Sequence, residues 1–147
     1  MATADLLRSD VDPRVVVDPA AVAKAVETIF PEALGVWIYG STAERSALKE
    51  SDLDVAILAP RRIVKDWDYL DRVGELGAAV RRNVDLVDLR AVPPALRFEI
   101  FSNGLRIAAR DPIACDRYET TAVSAFQRLN FERREIFDAI RERGTVY

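Results

Sequence analysis

The sequence predicts an α/β (α+β) protein, a small mixed β-sheet flanked by helices. Three observations carry this. Short apolar, β-rich runs recur at GVWIY (35–39), LDVAIL (53–58) and VDLVDL (84–89). Segments with apolar residues at spacings of three and four alternate with them, as amphipathic helices require. Proline and glycine stand at the boundaries rather than inside the elements. The resulting order is α-β-α-β-α-β-α-β-α, which calls for a sheet packed against helices.

Residues 1–14 read as peripheral. Asp18-Pro19 opens the first helix: aspartate caps the free N–H groups, and proline at the first helical position loses nothing by lacking one. Val22, Val26, Ile29 and Phe30 form its apolar stripe, and Pro31 ends it. Gly35–Tyr39 is a buried strand, and Gly40-Ser41 turns the chain. TAERSALK (42–49) suits about two helical turns, with a polar break at Glu50-Ser51. Leu53–Leu58 is a second buried strand closed by Pro60. Lys65–Arg82 reads as an amphipathic helix through Trp67, Leu70, Val73, Leu76, Gly77 and Val80, stopping near Asn83. Val84–Leu89 is a third strand. Pro94–Ser102 is a short helix stopped at Asn103-Gly104, and Leu105–Ala109 a fourth, edge strand. Asp111-Pro112 opens a final segment of one long helix or two, running to Glu142 and stopped by Gly144. Phe126, Leu129, Arg133, Ile136, Phe137 and Ile140 lie along one side of it, as a core-facing stripe or a partner-facing one. Trp37 and Trp67 are expected in the core or at its rim. The arginine pairs at 61–62, 81–82 and 133–134 are expected on solvated faces.

One domain is expected over 1–147, with a core at about 18–110 and a C-terminal helical segment at about 112–143. The 147 residues carry a net charge of −3, which disfavours direct nucleic-acid binding, since that needs a basic face. There is no histidine. Ser-His and Cys-His nucleophilic pairs and His-ligated zinc are thereby excluded. Cys115 is the single cysteine, so no intrachain disulfide or CxxC zinc site can form, and a buried free thiol is expected. This composition fits a reducing cytoplasm. No stretch approaches the roughly 20 apolar residues of a membrane span. No GxxxxGK[ST] occurs, which excludes a P-loop.

The chemistry concentrates at GSTAERSALKESDLD, residues 40–54. A glycine at a strand end lets a phosphate approach backbone N–H groups, and a following helix N-terminus favours the anion. Ser41 adds a hydroxyl donor. Asp52 and Asp54 open the next strand at positions i and i+2, facing one side about 6–7 Å apart. Two carboxylates so placed can share Mg²⁺, which takes one or two carboxylates together with waters and phosphate oxygens. Two-metal phosphoryl transfer uses such a pair. Asp85, inside an apolar run, is the candidate third carboxylate. A lone carboxylate buried there is costly unless it is metal-bound or paired, with Arg81, Arg82 or Arg90 available as partners. Asp88 competes for the role from nearer the strand end. Strand alternation forbids Asp85 and Asp88 from sharing a face.

The pattern Gly40-Ser41-x10-Asp52-x-Asp54 resembles the signature of the DNA-polymerase-β-like nucleotidyltransferases. VDLVDL, PPALRFEIFSNGLRIAARD and DRYETTAVSAFQRLNFERREIF resemble the minimal nucleotidyltransferases, antitoxin partners of HEPN-domain RNases. The resemblance spans about residues 20–142 and implies the nucleotidyltransferase fold. It implies that Asp52, Asp54 and Asp85 bind Mg²⁺, and that Gly40 and Ser41 hold the phosphates of ATP. The implied reaction moves AMP from ATP to a tyrosine of a HEPN RNase toxin, releasing pyrophosphate, with a hetero-oligomer of antitoxin and toxin. The chain departs from relatives after Gly-Ser: Glu44 stands where arginine is usual and Arg45 where glycine is usual. Arg45 is therefore the candidate replacement for the missing positive charge on the nucleotide. The alternatives are an antitoxin that neutralises by binding alone, and a nucleotidyltransferase acting on a small molecule.

Overall fold

The computed structural model describes residues 18–40 and 52–143. The expected TAERSALK helix, Ser41 and Arg45 lie outside these residues. Helix α1 (Pro19–Ile29) starts as expected, with the Asp18 carboxylate accepting from the Ala20 N–H. Strand β1 (Gly35–Tyr39) follows, then β2 (Leu53–Leu58), helix α2 (Tyr69–Val80), β3 (Val84–Asp88), helix α3 (Pro94–Asn103), β4 (Leu105–Ala109) and helix α4 (Pro112–Arg143). The last segment is therefore one continuous helix.

The sheet order is β3-β2-β1-β4. β1 pairs antiparallel with both β2 and β4, and β2 pairs parallel with β3. The parallel pair requires a crossover, which α2 supplies. β4 is an edge strand, as expected. Each sheet face carries its own apolar cluster. Val36, Ile38, Val55, Ile57 and Leu86 pack with Val22, Val26 and Phe30 of the α1 segment and Leu76 of α2. Trp37, Tyr39, Ala56 and Leu58 pack on the opposite face with Ile100 of α3 and Cys115 of α4. A buried Val, Leu, Ile or Phe contributes roughly 1.5–3 kcal/mol, so both clusters resist any shift of strand register. Gly35 permits the close seating of α4, because a Cβ there would collide with the Cys115 sulfur.

Two expectations are corrected. The α2 segment begins at Tyr69, not Lys65. Arg61 grips the Asp66 carboxylate through two hydrogen bonds of 2.9 and 3.1 Å, and residues 63–69 form turns. Trp67 precedes the helix and is 92% exposed, and Leu70 lies on the solvent side. The inward positions are Tyr69, Val73, Leu76 and Val80. The apolar stripe of α4 is also not core along its length. Cys115 is the only residue of the helix that is buried, whereas Phe131, Ile136 and Phe137 are exposed. A helix of 32 residues is about 48 Å long at 1.5 Å per residue, while five- and six-residue strands span under about 20 Å. Its second half therefore outruns the domain.

Candidate nucleotidyl-transfer site

The sheet register brings the acidic residues together. Asp54 lies beside Tyr39 in the antiparallel pair and beside Asp85 in the parallel pair. Neighbouring positions of paired strands share a face, so Tyr39, Asp54 and Asp85 form a row across β1, β2 and β3. Gly40 follows Tyr39 and Asp52 precedes β2, both at the same end of the sheet. α3 and α4 contribute to the apolar cluster further along this face, around Trp37, Leu58 and Leu89.

Gly40 is in the left-handed region at φ +71°, where glycine is strongly favoured. A Cβ at this position would come within 2.5 Å of the Asp54 Oδ2 atom. The glycine thus serves two ends: it turns the chain and leaves room for a carboxylate against the backbone. Burial, then the charges of Asp85 and Asp52, hold the Asp54 carboxyl above the usual aspartate range. Tyr39 is pushed well above the usual tyrosine range by burial first, then by Asp54 and Asp85. Its hydroxyl keeps its proton beside the acidic row. The sequence reading passed over Tyr39 as strand core. Its position directly before Gly40-Ser41, two residues from the buried Trp37, is the signal that marks it.

Asp85 is exposed rather than buried, because β3 is an edge strand and Asp85 is its second residue. Among the described residues it has no hydrogen-bonding or ion-pair partner. The buried carboxylate is Asp88, at 2% exposure. It faces away from Asp85, as alternation demands. Its Oδ2 accepts from the Ile63 N–H at 2.7 Å and the Val64 N–H at 3.3 Å, and its Oδ1 from the Arg90 N–H at 3.0 Å. Asp88 thus anchors the chain after β2 to the end of β3, and its lone pairs are committed to backbone. That assignment separates the two candidates: Asp85 is available for chemistry and Asp88 is structural.

Among the described residues, no three acidic or cysteine side chains form a ready-made metal-ligand set. The fit to Mg²⁺ is instead that of an open site. A carboxylate whose proton affinity is raised by burial and by neighbouring carboxylates, as that of Asp54 is, gains by sharing a cation, and Mg²⁺ completes its octahedron with phosphate oxygens and water. An all-protein cage does not fit these residues. Asp52 and Asp54, with substrate phosphates, do.

A four-stranded mixed sheet with an acidic row beside a glycine turn is the framework of a nucleotidyltransferase. The family model described as "Polymerase beta, Nucleotidyltransferase" matches residues 21–113, and the chain belongs to that family. Among its relatives is the protein adenylyltransferase MntA of Shewanella oneidensis, 24% identical over 121 residues that cover 81% of this chain and 84% of that protein. A solved toxin–antitoxin complex with AMP-PNP contains a chain that superposes with a TM-score of 0.70 at 22% identity, covering 84% of this chain and 98% of that one. A chain from the complex of the tri-AMPylated Shewanella oneidensis HEPN toxin with its MNT antitoxin superposes at 0.64 and 22% identity, covering 84% and 95%. These superpositions establish a shared fold. Among the described residues no helix is long and apolar enough to cross a membrane.

Proposed function

We infer that this chain is a Mg²⁺-dependent protein adenylyltransferase that acts as an antitoxin, moving AMP from ATP to a tyrosine of a partner HEPN RNase in the cytoplasm. The observation that carries the reading is the pairing of Asp54 with Asp85 across β2 and β3, beside the left-handed Gly40. The named activity of the Shewanella oneidensis relative, and one structural neighbour's complex with a tri-AMPylated HEPN toxin, support the acceptor class. All 147 residues act as one domain in this reading, with α4 as its C-terminal extension.

Asp52 and Asp54 would hold the ion, with Asp85 completing the acidic row. Bound there, Mg²⁺ supplies charge neutralisation at the phosphates and lowers the pKa of the incoming hydroxyl. Gly40 and Ser41 would present backbone N–H and hydroxyl donors to the phosphates, and Arg45 a positive charge. The acceptor oxygen attacks the α-phosphorus, forming one P–O bond while the bond to pyrophosphate breaks. The proton of the acceptor hydroxyl passes to the acidic row at Asp85, and pyrophosphate departs. Tyr39 keeps its own proton and does not compete as a base. No histidine is needed anywhere in this scheme.

The test is transfer of labelled AMP from ATP to the cognate HEPN RNase with Mg²⁺. The expected result is a mass gain of the RNase by whole AMP units with the wild-type chain. An Asp52→Ala/Asp54→Ala double variant that transfers at the wild-type rate would end the reading. Neutralisation of the RNase with no change in its mass would favour an antitoxin that acts by binding alone.

A further inference from the structure

The Tyr39 hydroxyl carries the second inference, which rests on the nucleotidyl-transfer reading above. Tyr39 is 8% exposed, and it packs in the apolar cluster of Trp37, Ile100 and Cys115, so the sheet and α3 hold its ring in place. A buried tyrosine usually finds a partner for its hydroxyl. Tyr69 and Tyr118 follow this rule, donating to the Leu86 and Leu89 carbonyls at 3.0 Å each. Tyr39 does not: among the described residues its hydroxyl has no partner. Nor is that oxygen enclosed, since the unpartnered buried side-chain atoms among the described residues are the Arg72 Nε and the Arg82 Nη1. A firmly seated ring thus presents an idle, accessible donor.

The surroundings of the hydroxyl select its partner. Asp54 stands opposite Tyr39 across β1 and β2, and Asp85 comes next across β2 and β3. On the other side of β1 the ladder ends with Leu105 against Ile38, and the preceding residue is Gly104, which brings no side chain. Burial, then the charges of Asp54 and Asp85, act on the Tyr39 hydroxyl. A tyrosine keeps its proton at neutral pH even without such neighbours, so Tyr39 is a neutral donor in a row of carboxylates. It also directly precedes Gly40, whose backbone would face the phosphates. Asp85, which would receive the acceptor's proton, stands at the opposite end of the row with Asp54 between them. A phosphate bound over Asp54 is therefore beside Tyr39. We propose that the Tyr39 hydroxyl donates a hydrogen bond to a non-bridging oxygen of the α-phosphate of ATP and orients the phosphorus for attack. A donor held in advance on an oxygen that gains charge during transfer stabilises the transition state without reorganising.

The experiment uses the full chain and the cognate HEPN RNase, with Tyr39→Phe, which keeps the ring and removes only the hydroxyl. The variant should melt with the wild type, because the hydroxyl bonds nothing in the folded chain. Its kcat for AMP transfer should fall by about tenfold or more, with the KM for the RNase unchanged. The decisive readout is the rate with each α-thio diastereomer of ATP, in which sulfur, a poor acceptor, replaces one non-bridging oxygen. For one diastereomer the slowing relative to ATP should shrink in Tyr39→Phe, since the bond it weakens is already gone. The slowing by the other diastereomer should persist. Wild-type kcat in Tyr39→Phe overturns the proposal. So does a reduced kcat with both thio effects at their wild-type values, whether or not the melting temperature also falls. Failure of the adenylyltransferase reading has a different signature: the wild-type chain transfers no AMP to the RNase. Calorimetry with Mg²⁺-ATP then decides, weaker binding by Tyr39→Phe supporting the contact and equal binding refuting it. A wild-type chain that binds no ATP ends both.

Discussion

Replacing Asp88 separates structure from chemistry in the third strand. Asp88→Ala removes the acceptor for three backbone N–H groups, those of Ile63, Val64 and Arg90. An unsatisfied buried donor costs about 1–3 kcal/mol. The Ile63 bond is the buried one, while the Val64 and Arg90 bonds are part-buried and the Val64 bond is long at 3.3 Å. Water can reach those two donors in part, which holds the total to roughly 2–4 kcal/mol. For a chain of 147 residues that lowers Tm by about 6–13 °C. Asp88→Asn keeps one carbonyl acceptor and loses less, roughly 1 kcal/mol. Asp85→Ala is the contrast: it is exposed, so stability changes by under about 0.5 kcal/mol while AMP transfer is lost. Urea and thermal unfolding give the stabilities, and labelled-ATP transfer gives the activity. The reasoning is refuted if Asp88→Ala melts with the wild type, or if Asp85→Ala unfolds early and keeps its activity.

Gly40→Ala forces a side chain into the left-handed region, at about 1–2 kcal/mol, and drives its Cβ against the Asp54 carboxylate. A modest drop in Tm should accompany a much larger loss of Mg²⁺-ATP binding by calorimetry, and unchanged binding would count against the site. Asp54 has a raised carboxyl pKa, so the folded state holds this proton more tightly than the unfolded chain does. Its effect on stability is most favourable at low pH and is lost as pH rises through the folded value. Asp54→Asn should therefore melt above the wild type at pH 7, with the gap closing below about pH 3.9. An equal or lower Tm at pH 7 would contradict the crowding of carboxylates. Glu32 behaves oppositely. Its hydrogen bonds to Arg72 hold its carboxyl below the usual range, so its contribution is present above the unfolded pKa and fades as pH falls through the folded one. Arg72 also stacks 4.4 Å from the Phe30 ring and donates to the Ile29 carbonyl, joining α1 to α2. Arg72→Met should cost about 2–3 kcal/mol in urea unfolding at pH 7, and wild-type stability would show the contact to be idle.

Much of this protein could be read along the chain. Asp18-Pro19, the apolar strands and the proline punctuation are local signals, and the caps and strand bounds follow them closely. The Gly-Ser and Asp-x-Asp spacing pointed to a candidate site because a glycine turn and a carboxylate pair each have a local chemical meaning. That no histidine chemistry operates was settled by composition alone. Period-two alternation required Asp85 and Asp88 to part company, but it could not say which of them looked toward Asp54.

Tertiary structure made that choice. Only the register of β3 on β2 sets Asp85 beside Asp54, and only the chain following β2 brings the Ile63 and Val64 N–H groups to Asp88. The exposure of Trp67 and of the outer half of α4 was equally hidden in the sequence. A helical stripe reads the same whether a sheet covers it or nothing does, because periodicity encodes a face and says nothing of what lies opposite. What neighbours a residue along the chain was local and legible; what neighbours it across the sheet existed only once the strands had paired.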